Sequence, residues 1–175
     1  MMRLLLLVTI ATSLAAAPAK APPLPPDARL DPAALAFAAR YGIAPVLANE
    51  IVRAARAEHM PPRIAFRLVG RESGFRVRAV GRAGEIGLTQ IKPATARLLV
   101  RRISTADLYR PTVNLHLGFR YAVALTRRHH GDWYRGLAGY HCGPRRATTD
   151  SLPRHGLEYA SSILSGAGVP EDASR

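Results

Sequence analysis

Prolines at the start of apolar-striped segments constrain the fold of this chain more than any other feature. Asp31–Pro32 is typical of an N-cap followed by proline at the first helical position. Three later segments with helical spacing also begin at proline: Pro45, Pro62 and Pro93. Proline is tolerated there because first-turn N–H groups have no intrahelical acceptor, whereas further inside a helix it breaks a hydrogen bond. The pattern predicts a series of short helices.

The predicted helices cover most of the chain after residue 31. Their approximate ranges are 32–39, 45–58, 62–72, 93–101, 105–109, 113–129, 133–141 and 157–164. No segment shows the period-2 alternation of a strand, and a cluster of glycines indicates a loop between residues 73 and 88. The predicted fold class is therefore all-α, or at most α+β with a short hairpin in the glycine-rich loop.

The first 31 residues are typical of an export signal followed by a leader. Arg3 precedes an apolar run over residues 4–16, which is shorter than the roughly 20 residues that span a bilayer. Ala17–Pro18–Ala19 fits a cleavage site, and no nearby cysteine offers a lipid attachment point. We predict a signal peptide (1–19), a proline-rich leader (20–31), one folded domain (32–166) and a C-terminal tail (167–175).

The charge of the chain points to an anionic partner. The sequence has 25 Lys and Arg against 12 Asp and Glu, a formal net charge of +13. An exported protein meets little nucleic acid, which favours an acidic polysaccharide. The single cysteine, Cys142, excludes an intramolecular disulfide and a Cys-based zinc cluster, and the histidines lack metal-ligand spacing. We expect a periplasmic or secreted protein with no metal, no cofactor, no nucleic-acid partner and no stable membrane anchor after processing.

Glu72 is the strongest candidate for a catalytic residue. Ile64, Leu68 and Glu72 are spaced i, i+4, i+8, so the carboxyl projects from an apolar stripe. Partial desolvation and the negative end of the helix dipole both raise the pKa of a carboxyl, which suits a general acid. The spacing alone also fits a Glu that extends into solvent at the end of the helix, or one that pairs with Arg71 or Arg76.

Several blocks of sequence, in order, resemble the catalytic domain of the soluble lytic transglycosylases in the lysozyme-like superfamily. The blocks are Glu72-Ser73-Gly74-Phe75, Ala79-Val80, residues 84–91 (GEIGLTQI), Pro93-Ala94-Thr95-Ala96, Asn114-Leu115, Gly118, Tyr121, Leu125, Gly131-Asp132, residues 137–144 (LAGYHCGP) and Glu158-Tyr159. They span about residues 62–164, and agreement over several ordered blocks is more specific than one short motif. The resemblance implies a lysozyme-like domain that acts on peptidoglycan strands.

The resemblance also implies roles for single residues. Glu72 would be the sole catalytic acid and base, cleaving the β-1,4 bond between N-acetylmuramic acid and N-acetylglucosamine to leave a 1,6-anhydro end. Gln90 would bind an acetamido sugar, and Tyr140 would place its hydroxyl near the catalytic carboxyl, although both residue types also occur as buried core polars. Ser73 would either hydrogen-bond the acid or cap the turn.

The chain departs from the family pattern at three positions. Thr89 replaces a usual Met of the cleft wall, which predicts more polar packing against sugar. His141 replaces a typical Asn beside Tyr140, which predicts sensitivity to pH. Gly81 replaces a common Ser and loses one local hydrogen bond.

Glu85 is the only other acidic residue in the region of the site. It is interpreted either as a loop residue accepting bonds from backbone amides or an Arg, or as a group that binds substrate or tunes Glu72. A second carboxylate keeps a hydrolytic muramidase on the same fold open as an alternative function. A catalytically inactive peptidoglycan-binding adaptor and, less favoured, a cationic membrane-active protein are the alternatives from other classes.

Arg63, Arg67 and Arg71 form a row that adjoins the face of Glu72. Such a row is interpreted as a solvated face or as a contact for lactyl and peptide carboxylates of the wall. The chain leaves little length for a wall-anchoring domain, so delivery by a secretion or other envelope-spanning apparatus is a further expectation.

Overall fold

The computed structural model describes residues 30–143 and 152–165. Within them the chain forms seven α-helices: α1 (Pro32–Tyr41), α2 (Pro45–Ala57), α3 (Pro62–Ser73), α4 (Pro93–Leu99), α5 (Pro111–Arg128), α6 (Trp133–Cys142) and α7 (Arg154–Leu164). The described part has no strand, only isolated antiparallel bridges at Val80–Ile86 and Ile86–Ile91. The all-α prediction is confirmed, while the predicted signal peptide, most of the leader and the tail lie outside the described residues.

The ends of the helices follow the proline and glycine pattern. The Asp31 side chain accepts a hydrogen bond from the backbone N–H of Ala33, and Gly42 and Gly74 end α1 and α3 in the left-handed conformation. None of the helices in the described part is long and apolar enough to cross a bilayer.

The structure differs from the predicted ranges at two helix starts, at the end of α4, which is Leu99 and not residue 101, and in the type of one helix. Helix α5 begins at Pro111 and not at residue 113, because proline again occupies the first turn. Helix α7 begins at Arg154, directly after Pro153, and not at residue 157. The segment predicted as a helix over 105–109 is a short 3-10 helix, Ala106–Tyr109.

The main core lies where α2, α3, α5, α6 and α7 meet. Contacts join α5 to α6, α6 to α7, α2 to α5, and α3 to both α2 and α7. Phe66 of α3 and Phe119 of α5 are among the largest side chains fully buried in it. Helix α3 therefore runs through the core and ends at its edge, with Glu72 in the last turn.

A smaller core supports the glycine-rich loop, defined here as residues 74–92. Its members are Ile86, Ile91, Ala96, Leu108 and Leu117, contributed by the loop, α4, the 3-10 helix and α5. The loop is therefore anchored by its own apolar residues and not by a sheet.

Asn114 of α5 fixes the backbone of this loop. Its side chain is 1% exposed and its Nδ2 donates to the carbonyls of Ile86 at 2.8 Å and Leu108 at 2.9 Å. Its Oδ1 accepts from the backbone N–H of Thr89 at 2.9 Å and from the Thr89 hydroxyl at 2.8 Å. Gly118 makes room for that threonine, because a Cβ there would lie 2.3 Å from its hydroxyl oxygen.

Candidate active site

Glu72 occupies the last turn of α3, above the buried side chains of Ile64 and Leu68. Its desolvation raises the pKa of the carboxyl to about 7, against an ordinary value of 4.5. A hydrogen bond from Tyr159 and the charge of Arg71 act in the opposite direction, and the charge of Glu85 adds to the rise. The carboxyl is therefore close to half-protonated at neutral pH. Its hydrogen-bond partner among the described residues is the hydroxyl of Tyr159, and neither Arg71 nor Arg76 forms an ion pair with it.

Tyr159 of α7 is the site residue to which sequence analysis gave no role. It is buried, and its hydroxyl donates to Oε1 of Glu72 across 87 residues of sequence. Burial and the nearby Glu72 charge raise the pKa of Tyr159 well above 10, so the hydroxyl stays a neutral donor. His141 stacks on the Tyr159 ring with centroids 4.4 Å apart, and the Arg71 guanidinium lies 6.0 Å from the ring centre. The only signal in the sequence was its place in the last matching block.

Two adjoining clefts meet at Glu72. The first cleft, about 380 Å³, is lined by Glu72, Glu85, Gln90, Ile91, Lys92, Thr95, Tyr121, Tyr140, His141, Cys142 and Gly143. The second cleft, about 420 Å³, is lined by Glu72, Arg76, Arg78, Ala79, Val80 and Gln90. Both volumes are at the lower end of the range for small-ligand sites. A chain-like ligand lying across both clefts would pass over the Glu72 carboxyl.

Five of the seven candidate residues lie together at these clefts: Glu72, Glu85, Gln90, Tyr140 and His141. The side chains of the other two lie in the core. The Ser73 hydroxyl donates to the Val69 carbonyl at 3.1 Å, and Thr89 is 0% exposed with its hydroxyl on Asn114.

Tyr140 is held by the backbone of the loop. Its hydroxyl donates to the carbonyl of Thr89 at 2.7 Å, and its ring lies 5.5 Å from that of Tyr121. Burial, with a contribution from the Glu72 charge, raises the pKa of Tyr140 well above 10. Tyr140 therefore stays uncharged in the cleft wall, and Tyr159 is the tyrosine that bonds to the carboxyl.

Gln90 adopts a left-handed backbone conformation, with φ of 49°. Its side-chain amide donates to the carbonyls of Gly87 at 2.9 Å and Ala79 at 3.3 Å, which links the two halves of the loop. A Cβ at Gly81 would lie 2.3 Å from Oε2 of Glu85 and 2.8 Å from Oε1 of Gln90. The glycine at this position therefore makes room for Glu85.

Glu85 is held by the loop and by Lys92. Its carboxylate accepts from the backbone N–H of Ala83 at 3.0 Å and lies 3.3 Å from Nζ of Lys92. Burial raises the pKa of Glu85, but hydrogen bonds from its own backbone, Lys92 and Ala83 outweigh that effect and leave the pKa lowered. The first cleft therefore contains two different carboxyls: Glu85, which is ionised, and Glu72, which is partly protonated at neutral pH.

The arginine row of α3 serves mainly to join helices. Arg67 donates to the carbonyls of Ile163 at 2.5 Å and Ser162 at 2.6 Å, at the end of α7. Arg71 lies over Tyr159, as described above, and Arg63 is exposed at the start of the helix. Arg63 and Arg71 remain exposed at the surface.

His141 and Cys142 close one end of the first cleft. Partial burial, together with the charges of His155 and Arg71, lowers the pKa of His141, which keeps its ring neutral at pH 7. Cys142 is half-buried with its Sγ 3.3 Å from Nε2 of His155. Among the described residues, no three His, Cys, Asp or Glu side chains are grouped to hold a metal ion.

Comparison with known proteins identifies relatives of this chain. The chain is 30% identical over 127 residues to the transglycosylase of Enterobacteria phage PRD1, covering 68% of this chain and 45% of that protein. Its fold is similar to an inactive mutant of lytic transglycosylase Slt from Pseudomonas aeruginosa (26% identity, TM-score 0.60) and to the 70 kDa soluble lytic transglycosylase Slt70 from Escherichia coli (22% identity, TM-score 0.61).

Each of the two structural matches covers 67% of this chain and 22% of the longer one, so the chain spans less than half the length of the relatives compared. The likeness confirms the predicted lysozyme-like fold in a single domain. The model of the transglycosylase SLT domain matches residues 49–158, which include Glu72, the glycine-rich loop and most of α5 to α7. The chain belongs to the transglycosylase SLT domain family.

Proposed function

We propose that this chain is an exported lytic transglycosylase that cleaves the β-1,4 bond between N-acetylmuramic acid and N-acetylglucosamine in peptidoglycan. In this proposal residues 32–166 form the catalytic domain and Glu72 acts first as acid and then as base. The observation that carries the proposal is the carboxyl itself, with a pKa of about 7 where two clefts meet. A group with a pKa near the working pH can both give and take a proton.

The first half of the reaction needs the protonated carboxyl. Glu72 donates its proton to the glycosidic oxygen while the C1–O bond breaks and the sugar acquires oxocarbenium character. The substrate's own N-acetyl carbonyl stabilises C1, so the protein need not supply a nucleophile. The Tyr159 hydroxyl donates to the carboxylate that forms, and thereby limits the cost of its ionisation in a desolvated place.

The second half needs the ionised carboxyl. Glu72 accepts the proton of the C6 hydroxyl on the muramic acid, and the hydroxyl oxygen forms a new bond to C1. This closes a 1,6-anhydro ring without consuming water and returns Glu72 to its protonated form. Proton transfer by a positioned group of this kind is worth about 10²–10⁴ in rate.

A hydrolytic muramidase is the second candidate, because Glu85 lines the same cleft as Glu72. Glu85 is already engaged by Lys92 and a backbone amide, which favours a supporting role in the cleft wall over activation of a water. The Pseudomonas aeruginosa relative is described as inactive with one glutamate changed to glutamine, so that enzyme depends on a glutamate carboxyl.

The test is digestion of purified sacculi followed by mass spectrometry of the released products. We expect 1,6-anhydro ends from the wild type and a loss of about 10²–10⁴ in rate for Glu72→Gln. Glu50→Gln is the matched control, because burial also raises the pKa of Glu50, which lines neither cleft. Reducing ends would support hydrolysis, full activity of Glu72→Gln would contradict the assignment of the acid, and binding without any release would support an adaptor.

A further inference from the structure

The second cleft carries positive charge from two neighbouring arginines. Arg76 and Arg78 are exposed, while Phe75 and Val77, which alternate with them along the chain, pack on the main core. This alternation aims the two arginines away from the core and into the cleft that they line. The backbone is fixed as well, because the N–H of Ala79 donates to the carbonyl of Arg76 at 3.2 Å.

Neither arginine forms an ion pair with a carboxylate of residues 30–143 and 152–165, although the partly protonated Glu72 lines the same cleft. The ion pairs of these residues involve neither Arg76 nor Arg78. Arg78 instead lies with its guanidinium 5.4 Å from the ring centre of Tyr109, which restricts its side chain. The first cleft differs, since its cation, Lys92, is paired with Glu85.

The second cleft also exposes an apolar side chain. Val80 lines this cleft and is 62% exposed, although valine is one of the residues most often buried in folded proteins. Two guanidinium groups beside one aliphatic side chain match a ligand with carboxylates and methyl groups. A neutral sugar would require hydrogen-bonding side chains and aromatic faces in their place.

We propose that Arg76 and Arg78 bind carboxylates of the stem peptide carried by muramic acid, with Val80 in contact with its alanine methyl groups. The inference rests on the proposed function, which brings a glycan strand across Glu72. Guanidinium pairs with carboxylate through charge-assisted hydrogen bonds and is the group suited to that task. The two arginines then select strands that still bear peptides over strands that have been stripped.

The lactyl group of muramic acid is the other source of a carboxylate. In a peptide-bearing strand this group is joined to the peptide as an amide and has no charge, whereas the stem peptide has free carboxylates. An amidase that removes the peptides restores one lactyl carboxylate per muramic acid. Three glycans therefore separate the stem-peptide carboxylates, the lactyl carboxylate and binding of the sugar alone. They are peptide-bearing strands, amidase-stripped strands and neutral chitin oligosaccharides.

The experiment measures binding and cleavage of these three glycans by four proteins: wild type, Glu72→Gln, the pair Arg76→Gln/Arg78→Gln, and a control pair Arg53→Gln/Arg127→Gln. Each pair removes two positive charges, and the control arginines are exposed but line neither cleft. We expect the first pair to bind peptide-bearing strands about 3- to 10-fold more weakly, as two solvent-exposed ion pairs allow. In cleavage assays KM should rise by that factor with kcat unchanged, and chitin binding should not change.

Equal losses for both arginine pairs would overturn the proposal in favour of general attraction by net charge. A loss confined to amidase-stripped strands would overturn it in favour of the lactyl carboxylate. Equal losses on peptide-bearing and stripped strands would overturn it in favour of a contact that both strands share. Two further proteins, each arginine pair combined with Glu72→Gln, give the binding measurement without catalysis. If the wild type releases no anhydro product but binding still depends on Arg76 and Arg78, the proposed function fails and the peptide-binding inference is supported.

Discussion

The two sides of Glu72 are built by different means. On one side, α3 and α7 bring apolar packing and one neutral hydroxyl, that of Tyr159, to the carboxyl. On the other side, the glycine-rich loop relies on backbone bonds, two isolated bridges and the buried amide of Asn114. The helical side sets the proton affinity of the acid, whereas the loop side sets the shape of the clefts. Substitutions on the helical side should therefore change mainly the pKa of Glu72, whereas substitutions on the loop side should change mainly the stability and shape of the clefts.

The largest effect on stability should come from the loop side. Asn114→Ala removes a side chain that makes two hydrogen bonds as donor and accepts from Thr89, and it leaves the carbonyls of Ile86 and Leu108 without that donor. We expect a loss of about 3–5 kcal/mol in the free energy of unfolding, measured with urea. Asn49→Ala is the control, since that side chain accepts a single bond, from the N–H of Asp31. A loss as small as the control's would mean that the loop is held by its apolar residues alone.

The next effect belongs to the helical side and depends on pH. The pKa of Glu72 is raised on folding from 4.5 to about 7, so the protonated form favours the folded state. This stabilisation is fully present below pH 4.5 and is lost as the pH rises to about 7, at a cost of about 3 kcal/mol. Glu72→Gln should therefore match the wild type near pH 4 and be more stable by about 2–3 kcal/mol at pH 8. Parallel curves for the two proteins in unfolding experiments across this range would contradict the raised pKa.

Tyr159→Phe tests the hydroxyl of the helical side without removing its ring. The hydrogen bond from Tyr159 lowers the pKa of Glu72, so its loss should raise that pKa further. The limb of the kcat/KM profile that falls as Glu72 ionises should move to higher pH, and the rate at pH 6 should drop about tenfold because the carboxyl loses a fixed partner. Tyr134→Phe on α6 is the control, since Tyr134 lines neither cleft. An unshifted profile would reduce Tyr159 to a packing residue.

The smallest effect should come from Glu85→Gln, because Glu85 belongs to the loop side and acts on Glu72 only through its charge. The Glu85 charge raises the pKa of Glu72, so its removal should move the falling limb to lower pH by a few tenths of a unit. The rate at pH 6 should change less than twofold and the products should remain anhydro. Asp107→Asn, which removes a carboxylate of the 3-10 helix that lines neither cleft, should leave the profile unchanged. A shift of the products towards or away from reducing ends would assign Glu85 a chemical role.

Much of the fold could be predicted because its signals are local. Proline at the first turn and glycine after the last turn mark helix ends within a few residues, as at Pro62 and Gly74. The boundary of α5 was missed although Pro111 carried the same signal. The 3-10 geometry of Ala106–Tyr109 could not be read from composition, because the short segment is shaped by its packing on α5.

The site was less predictable because its decisive contacts are distant in sequence. Spacing on one helix was enough to single out Glu72, since i, i+4, i+8 is a property of the local turn. The partner of that carboxyl lies 87 residues away, and only the docking of α7 on α3 brings it near. Thr89 illustrates the converse, because its sequence position in the loop fits a cleft residue but the pairing with Asn114 turns its side chain inward.

The bonds from Arg67 to the last carbonyls of α7 have a consequence for how the protein matures. A chain is synthesised from its N-terminus, so Glu72 emerges long before Tyr159. Until α7 docks and Arg67 secures its end, the acid lacks both its hydroxyl partner and the burial that α7 supplies. A chain cut short before α7 would keep the acid without the surroundings that set its proton affinity. The surroundings that set the proton affinity of Glu72 are therefore complete only once α7 has docked on α3.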